Sequence, residues 1–263
     1  MSPPSAPAEE EAQEGLTFTE HLEELRRRLI FTILGLVVGT ALAFGFAEEL
    51  FHLLMVPVLE ALPEGQQELI YTSALEKFFV YLRVAVYAGL FLGAPNFLFQ
   101  LWRFIAPGLY KNERRLVWPF VVFGTLMFLA GAVFCYLIVL PNALDFLINF
   151  GGAADWTRPM LSLKEQLSLV LMLELAFGVV FEIPLIIAFL AMIGLVDAAM
   201  LSRYRRHAAV AVCFLAAVIT PTGDPFNLAL MAIPMYVFYE VGIVLAWFLG
   251  RGAKKAEEEA GAE

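Results

Sequence analysis

The sequence predicts an all-α integral membrane protein with six transmembrane helices. Hydrophobic residues make up 60% of its 263 residues, charged residues only 16%, and the mean hydropathy is +0.76. In soluble domains about a quarter of all residues are charged, so most of this chain must face lipid. The apolar residues form long runs, and a bilayer core of about 30 Å needs roughly 20 apolar residues per helix. We therefore expect one multi-span membrane domain.

Acidic residues gather at the two ends of the chain and contribute much of the formal net charge of -9. Such runs are usually solvated. The sequence predicts a disordered acidic tail over residues 1–15, the membrane domain over 16–250 and a charged disordered tail over 251–263. The first tail lacks the basic opening of a secretory signal, so we expect the first span to be retained.

Six apolar runs predict the spans, and the fifth is the shortest of them. A turn-forming stretch from Thr220 to Pro225 separates the fifth run from the sixth. We expect both of these last spans to be short for a bilayer. The predicted spans cover approximately residues 29–47, 80–101, 116–140, 167–193, 208–220 and 228–249.

Basic residues predict the orientation, because short loops rich in Lys and Arg stay on the cytoplasmic side. With the N-terminus inside, the basic clusters at 26–28, 103–115, 203–206 and 251–255 all lie in the cytoplasm. Five spans would place the last cluster outside. The pattern therefore favours six spans with both termini cytoplasmic.

The first candidate site precedes the first span. Residues 17–20 match a capping box and predict a helix that begins in the cytoplasm and runs into the membrane. Glu23 and Glu24 lie on its polar side. Spacing alone favours pairs with Arg27 and Arg28 at i,i+4, each worth about 0.3 to 0.5 kcal/mol.

The second candidate site is the cytoplasmic segment 100–115. Its aromatic residues, among them Trp102, Phe104 and Tyr110, are typical of the belt that anchors helices at the membrane interface. Glu113 lies among basic residues, and the simplest interpretation of its position is a local ion pair.

Acidic residues inside the spans form the third candidate site. Glu174, Gly178 and Glu182 are spaced i, i+4, i+8, so they share one face of the fourth span, with the two acids about 12 Å apart along the axis. Pro184 should bend or loosen this helix. An ionised acid at mid-bilayer costs about 2.5 to 3.5 kcal/mol, so such groups usually face a polar cavity or stay protonated. Glu240, in the sixth span, lies nearer an end.

The residues that an enzyme would need are missing from the spans. His21, His52 and His207 lie outside them, so no intramembrane Ser-His pair or His-based zinc site can be drawn, and no Gly-rich phosphate loop occurs. We expect no enzymatic activity, no metal and no cofactor. The alternative function is a proton-coupled small-solute transporter that uses the intramembrane glutamates as a relay. The lack of an internal repeat weakens that alternative.

Several motifs follow one another along the chain in a specific order. They are His21-Leu-Glu-Glu-Leu-Arg26, Trp102-x-Phe-x-Ala-Pro-Gly-Leu-Tyr-x-x-Glu113-Arg-Arg115, Phe177-Gly-x-x-Phe-Glu182-x-Pro184, Thr220-Pro221 with Asp224, Ala232-Ile-Pro-Met-Tyr236 and Tyr239-Glu240. Together they resemble TatC, the multi-span receptor family of the twin-arginine translocation system. The resemblance covers essentially the whole membrane domain.

The resemblance implies a receptor for folded proteins that carry a twin-arginine signal peptide. It implies an oligomeric complex in the inner membrane of a prokaryote, with the single-span partners TatA and TatB, driven by the proton-motive force, and a concave, glove-like arrangement of helices. Glu24 and Glu113 match the acids that contact the arginine pair of the signal, and Arg26, Phe104 and Tyr110 lie in the matching neighbourhoods.

The resemblance also implies roles for residues inside the membrane. Glu182 matches the family's membrane acid, which would thin or hydrate the bilayer or pair with a polar group of a TatA or TatB helix. The region of Thr220, Asp224 and Glu240 would dock these partners. No nucleic acid is expected as a partner.

Two residues depart from the family pattern. Glu174 is an additional acid on the face of Glu182, at a position where an apolar residue is expected in relatives. Leu228 stands where a glutamine is expected in some relatives. The first departure extends the polar face of the fourth span, and the second puts in doubt a complete polar cluster around Thr220.

Overall fold

The structure is a computed structural model that describes residues 18–63, 65, 67–105, 117–149, 160–220 and 224–260. The described residues are nearly all helical, which confirms the predicted all-α class. The elements, in chain order, are α1 (Phe18–Phe44), α2 (Ala47–Glu60), β1 (Leu69–Ile70), α3 (Ala74–Ile105), α4 (Val117–Phe134), a π-helical turn (Cys135–Val139), α5 (Leu140–Asn149), β2 (Leu161–Ser162), α6 (Leu163–Phe181), α7 (Ile183–Met192), α8 (Ala198–Arg203), α9 (Arg205–Ile219) and α10 (Pro225–Ala260).

Five stretches of the described residues are long and apolar enough to cross a membrane, and the chain is a multi-pass membrane protein. They overlap the first four predicted spans and the sixth, and they are Leu22–Phe44, Ala74–Phe104, Trp118–Asn149, Leu163–Met192 and Pro225–Phe248.

The predicted fifth span corresponds to α9. This helix has 15 residues and is about 22 Å long, which is short for a bilayer. The count of six spans and their orientation therefore stay predictions.

The sixth span is longer than expected, so the prediction that it is short was wrong. Its apolar part covers 24 residues from Pro225 to Phe248. The proline and aspartate in the stretch before residue 228 favour a turn there. However, proline is favoured at the first position of a helix, where its missing N–H costs nothing, and Pro225 begins α10.

Other helix ends also differ from the prediction. α1 ends at Phe44 rather than at 47, and α2 (Ala47–Glu60) occupies part of the interval between the first two predicted spans. The third span does not stop before Pro141 but continues into α5 as far as Asn149. The π-helical turn from Cys135 to Val139 directly precedes this proline. A wider turn relieves the clash between a proline ring and the carbonyl four residues earlier, so the helix continues.

The last helix extends into the predicted C-terminal tail. α10 continues to Ala260, whereas the sequence predicts disorder over residues 251–263. Residues 253–260 are Ala, Lys and Glu. These residues are among the strongest helix formers, so a helix that leaves the membrane here is easily prolonged.

α1 and α3 pack with their backbones in contact. A Cβ atom added at Gly39 would lie 2.7 Å from the Gly89 carbonyl oxygen, and one added at Gly89 would lie 2.5 Å from the Thr40 nitrogen. Small residues spaced by four allow such close approach of membrane helices. Nearer the start of α1, Asn96 Nδ2 donates to the Phe31 carbonyl at 3.1 Å. The beginning of α1 is thereby aligned with the end of α3.

The largest apolar core surrounds α6. Leu167, Leu171, Leu173 and Phe177 of this helix are buried against side chains of α2, α3, the π-helical turn and α10. Glu174 of the same helix is buried as well. The parallel pairing of β1 with β2 joins the segment after α2 to the start of α6. Two-residue strands are too short for a sequence pattern to reveal, and the pairing was not predicted.

Candidate functional site

Glu24 lies near the beginning of α1 and is already ion-paired. Its Oε1 accepts hydrogen bonds from Arg28 Nε at 3.2 Å and from Arg28 Nη2 at 2.5 Å. The two side chains are 23% and 13% exposed. The pair at i,i+4 that the spacing favours is thus confirmed for Glu24 and Arg28.

The same guanidinium also contacts α3. Arg28 Nη1 donates to Gln100 Oε1 at 3.2 Å, and Gln100 Nε2 lies 3.4 Å from Asn96 Oδ1. Gln100 is buried. The sequence analysis did not single out either amide, although two polar residues four positions apart in an apolar run were a usable signal. Glu24, Arg28, Gln100 and Asn96 are called the α1–α3 polar cluster below.

The neighbouring candidate residues lie around this cluster. Arg26 is exposed, and Phe104 follows Gln100 by four residues, on the same face of α3. Glu113 and Tyr110 lie outside the described residues. That Glu113 joins Glu24 in one acidic patch therefore stays a prediction.

Glu182 lies at a break between two helices. α6 ends at Phe181 and α7 begins at Ile183, with Pro184 in the first turn, so the predicted loosening of the helix by Pro184 is confirmed. The Glu182 side chain is buried, and its Oε1 accepts no hydrogen bond from any described residue.

The carboxyl group of Glu182 is placed against the backbone of α4. A Cβ atom added at Gly124 would lie 3.2 Å from Glu182 Oε2, 3.2 Å from Leu185 Cδ2 and 3.3 Å from Leu98 Cδ1. The absence of a side chain at Gly124 therefore makes room for the acid. The sequence analysis missed Gly124, because nothing in the order of residues shows which glycine faces Glu182.

Glu174 lies two turns before Glu182 and is 6% exposed. It forms no ion pair or hydrogen bond with the described residues. It borders an apolar cavity of about 450 Å³, whose other walls include Ala43 of α1, Leu50 of α2 and Phe91 of α3. A buried carboxyl without a partner is costly, so this acid is not explained by packing alone.

The two acids have different neighbours: Glu182 lies beside α4, whereas Glu174 borders the cavity lined by residues of α1, α2 and α3. Between them, a Cβ atom added at Gly178 would lie 2.8 Å from the Phe128 ring of α4. Glu182 lies against Gly124 of the same helix.

Thr220 and Asp224, the candidate docking residues, both cap helices. Thr220 ends α9, and its Oγ1 donates to the Ala216 carbonyl at 2.7 Å. Asp224 precedes α10, and its carboxylate accepts from the Asn227 nitrogen at 2.8 Å and from Asn227 Nδ2 at 3.0 Å. Residues 221–223 between them lie outside the described part of the chain.

Glu240 is held between α9 and α10. Its Oε2 accepts from Arg205 Nη2 at 2.7 Å, and its Oε1 accepts from Tyr236 OH at 2.9 Å. No hydrogen bond or ion pair among the described residues joins Glu240 to Glu174 or Glu182. Among the described residues, the three acids thus form no directly hydrogen-bonded chain.

These features define a polytopic α-helical membrane protein with a polar cluster between the beginning of α1 and the end of α3 and with two buried carboxyl groups inside the bundle. A family model described as Sec-independent protein translocase protein (TatC) matches residues 20–234. The chain belongs to the TatC family.

The chain is similar in sequence to curated TatC proteins over most of its length. It is 40% identical over 253 residues to Sec-independent protein translocase protein TatC of Koribacter versatilis, covering 95% of this chain and 92% of that protein. It is 42% identical to the TatC of Deinococcus radiodurans, covering 86% and 84%. It is 38% identical to the TatC of Escherichia coli, covering 90% and 91%.

Two solved structures have the same fold. Both are crystal structures described as the twin-arginine translocase receptor TatC, one of them in DDM, and both are 37% identical to this chain. Their TM-scores are 0.75 and 0.76, each match covers 86% of this chain, and the matches cover 97% and 99% of the solved chains.

Proposed function

We propose that this chain is the receptor that binds twin-arginine signal peptides in a Sec-independent translocase, and that it is not an enzyme. The observation that carries the proposal is the position of Glu24. In a chain of the TatC family, its carboxylate lies at the start of the first span and binds a guanidinium group in a two-donor contact. Hydrogen bonds between a guanidinium and a carboxylate are charge-assisted and among the strong ones in proteins, so this position can bind an arginine.

Two arginines require two acids. Glu24 supplies the first carboxylate, and Glu113 supplies the second in our proposal. Phe104, Arg26 and Tyr110 border this site. The position of Phe104 supports this arrangement, because it shares a face of α3 with Gln100, which contacts the guanidinium bound to Glu24.

The receptor would work with other components in the inner membrane of a prokaryote. We propose TatA and TatB as partners, folded proteins with twin-arginine signals as cargo, a complex with several copies of this chain, and the proton-motive force as the energy source. Thr220, Asp224 and Glu240 would mark the docking region, and the basic clusters support cytoplasmic termini.

Glu182 would act inside the bilayer. It hydrates or thins the membrane locally, or it pairs with a polar group of a partner helix. The buried Oε1 without a hydrogen-bond partner supports this role, because such an atom needs water or a donor. The short α9 also supports local thinning through hydrophobic mismatch.

Binding of a twin-arginine peptide to the purified full-length protein tests the receptor function. Glu24→Gln keeps the shape of the side chain and removes its charge. A charge-assisted hydrogen bond contributes about 1.5 to 3 kcal/mol, so the affinity should fall about tenfold or more. Glu23→Gln is the matched control, since Glu23 is an exposed neighbour of the same charge. Equal affinities of wild type and Glu24→Gln would refute the site.

A further inference from the structure

The Glu24 carboxylate already has an arginine partner within the protein. Arg28 of the same helix occupies its Oε1 with two donors, in the kind of contact that a signal arginine would make. We propose that Arg28 is an internal competitor, which holds the receptor carboxylate until an incoming guanidinium displaces it. This inference rests on the proposed function of Glu24.

Arg28 is positioned by the other helix and is not a freely moving surface side chain. Its Nη1 donates to Gln100, Gln100 contacts Asn96, and Asn96 donates to the Phe31 carbonyl of α1. These hydrogen bonds form a closed path between α1 and α3. The guanidinium is therefore held beside Glu24 by the packing of the two helices.

The same geometry lets Arg28 leave Glu24 without losing all its partners. Nη1 binds Gln100, whereas Nε and Nη2 bind Glu24, so release of the carboxylate keeps the contact with α3. Both side chains of the pair are partly exposed, and pairs of this kind stabilise weakly. The contact is thus tight enough to occupy the acid and weak enough to exchange.

Competition within the protein has a definite thermodynamic consequence. The apparent dissociation constant equals the intrinsic one divided by the fraction of molecules in which Glu24 is free. This fraction is a property of the protein alone. Every ligand that needs Glu24 is therefore weakened by the same factor, whatever its own affinity. Removal of the competitor must strengthen all such ligands equally.

Calorimetric titration of the full-length protein with two peptides tests this inference. One peptide carries the Arg-Arg pair, and the other carries Lys-Arg. Arg28→Met should bind both more tightly, by the same factor of about twofold to sixfold, as expected for loss of a weak competing pair. Arg28→Lys should show a smaller gain, because one ammonium group cannot reproduce the two-donor contact.

Arg27→Met is the matched control. It removes the same charge from the next residue, and Arg27 is exposed, with its guanidinium 6.0 Å from the centroid of the Phe31 ring. This variant should leave both affinities at their wild-type values. An equal gain in Arg27→Met would show a general charge effect and overturn the competitor role.

The remaining outcomes separate this inference from the proposed function. Weaker peptide binding by a folded Arg28→Met, or unequal factors for the two peptides, would show that Arg28 itself contacts the signal or positions Glu24. In a Glu24→Gln background, Arg28→Met should give no gain. If Glu24→Gln alone leaves binding unchanged, the proposed receptor site fails first, whatever Arg28 does.

Discussion

At the scale of the residue, the surroundings of each carboxyl group separate four glutamates into two kinds. Glu24 and Glu240 each bind an arginine, whereas Glu174 and Glu182 lie buried without an ion pair in the described residues. At least one side chain of each pair is partly exposed, so such acids can exchange their partners with other cations. Buried acids without partners are expensive, and such groups in membrane proteins usually serve function.

Residue spacing predicted part of these surroundings. The pair of Glu24 with Arg28 follows from four positions on one helix. Gln100 contacts Arg28 across 72 positions of sequence, and Gly124 faces Glu182 from another helix. Contacts of that kind depend on how helices pack, so one sequence without relatives does not reveal them.

A prediction at this scale concerns the room that Gly124 leaves for Glu182. Gly124→Val should push the carboxyl group away from α4, since even a Cβ atom there approaches it to 3.2 Å. We expect transport of a twin-arginine reporter to fall as far as it falls in Glu182→Ala. Glu182→Gln, which keeps a polar group, should retain more activity than Glu182→Ala.

The control is Gly45→Ala, where the nearest atom that a Cβ would meet lies 3.8 Å away. Overpacking costs about 1 to 3 kcal/mol, so the thermal stability of Gly124→Val has to be measured beside transport. Full transport by Glu182→Ala and Glu182→Gln together would show that the acid has no role.

At the scale of the element, hydrophobic runs placed the helices but not their ends. α10 begins at a proline that we assigned to a turn, and the third span passes Pro141 with the help of a π-helical turn. Proline has different effects at the first turn of a helix and in its interior. Apolar composition does not distinguish these cases. Spacing predicts that Glu174 and Glu182 lie on one face, but the neighbours of each acid depend on how the helices pack.

A prediction at this scale concerns the contact of α1 with α3. Gly39→Leu should force the helices apart, because a Cβ at that position would lie 2.7 Å from the Gly89 carbonyl. We expect the free energy of unfolding in detergent to fall by about 1 to 3 kcal/mol. Peptide binding should also weaken, because the α1–α3 polar cluster loses its alignment.

Gly93→Ala is the matched control for this contact. It lies on the same side of α3, but a Cβ there would meet its nearest atom, the Gly35 carbonyl oxygen, at 3.8 Å. This variant should retain wild-type stability. Wild-type stability in Gly39→Leu would contradict the close packing of α1 on α3.

At the scale of the whole molecule, the number of spans decides on which side of the membrane each site lies. α9 is only 15 residues long, so the topology depends on whether this helix crosses the membrane. With the N-terminus inside, the α1–α3 polar cluster lies in the cytoplasm, where a signal peptide would arrive, and six spans return the C-terminus to the same side. Five spans would place the C-terminus on the opposite side from the N-terminus.

Reporter fusions to the C-terminus and after Ile219 test the topology. We predict that a reporter active only in the cytoplasm works at the C-terminus, and that a reporter active only outside works after Ile219. The opposite activity at the C-terminus would rule out six spans. A fusion before residue 18 tests the other end of the chain, which the basic cluster at 26–28 predicts to lie in the cytoplasm.

The central claim is that this chain exports proteins with twin-arginine signals by binding the signal through Glu24. The most direct measurement is the location of a folded twin-arginine reporter in cells that lack this gene and carry either the wild-type chain or Glu24→Gln. We predict that the reporter stays in the cytoplasm without the gene, is exported with the wild-type chain, and is retained with Glu24→Gln despite normal amounts of the variant in the membrane. Export in the absence of the gene, or equal export by both chains, would contradict the account.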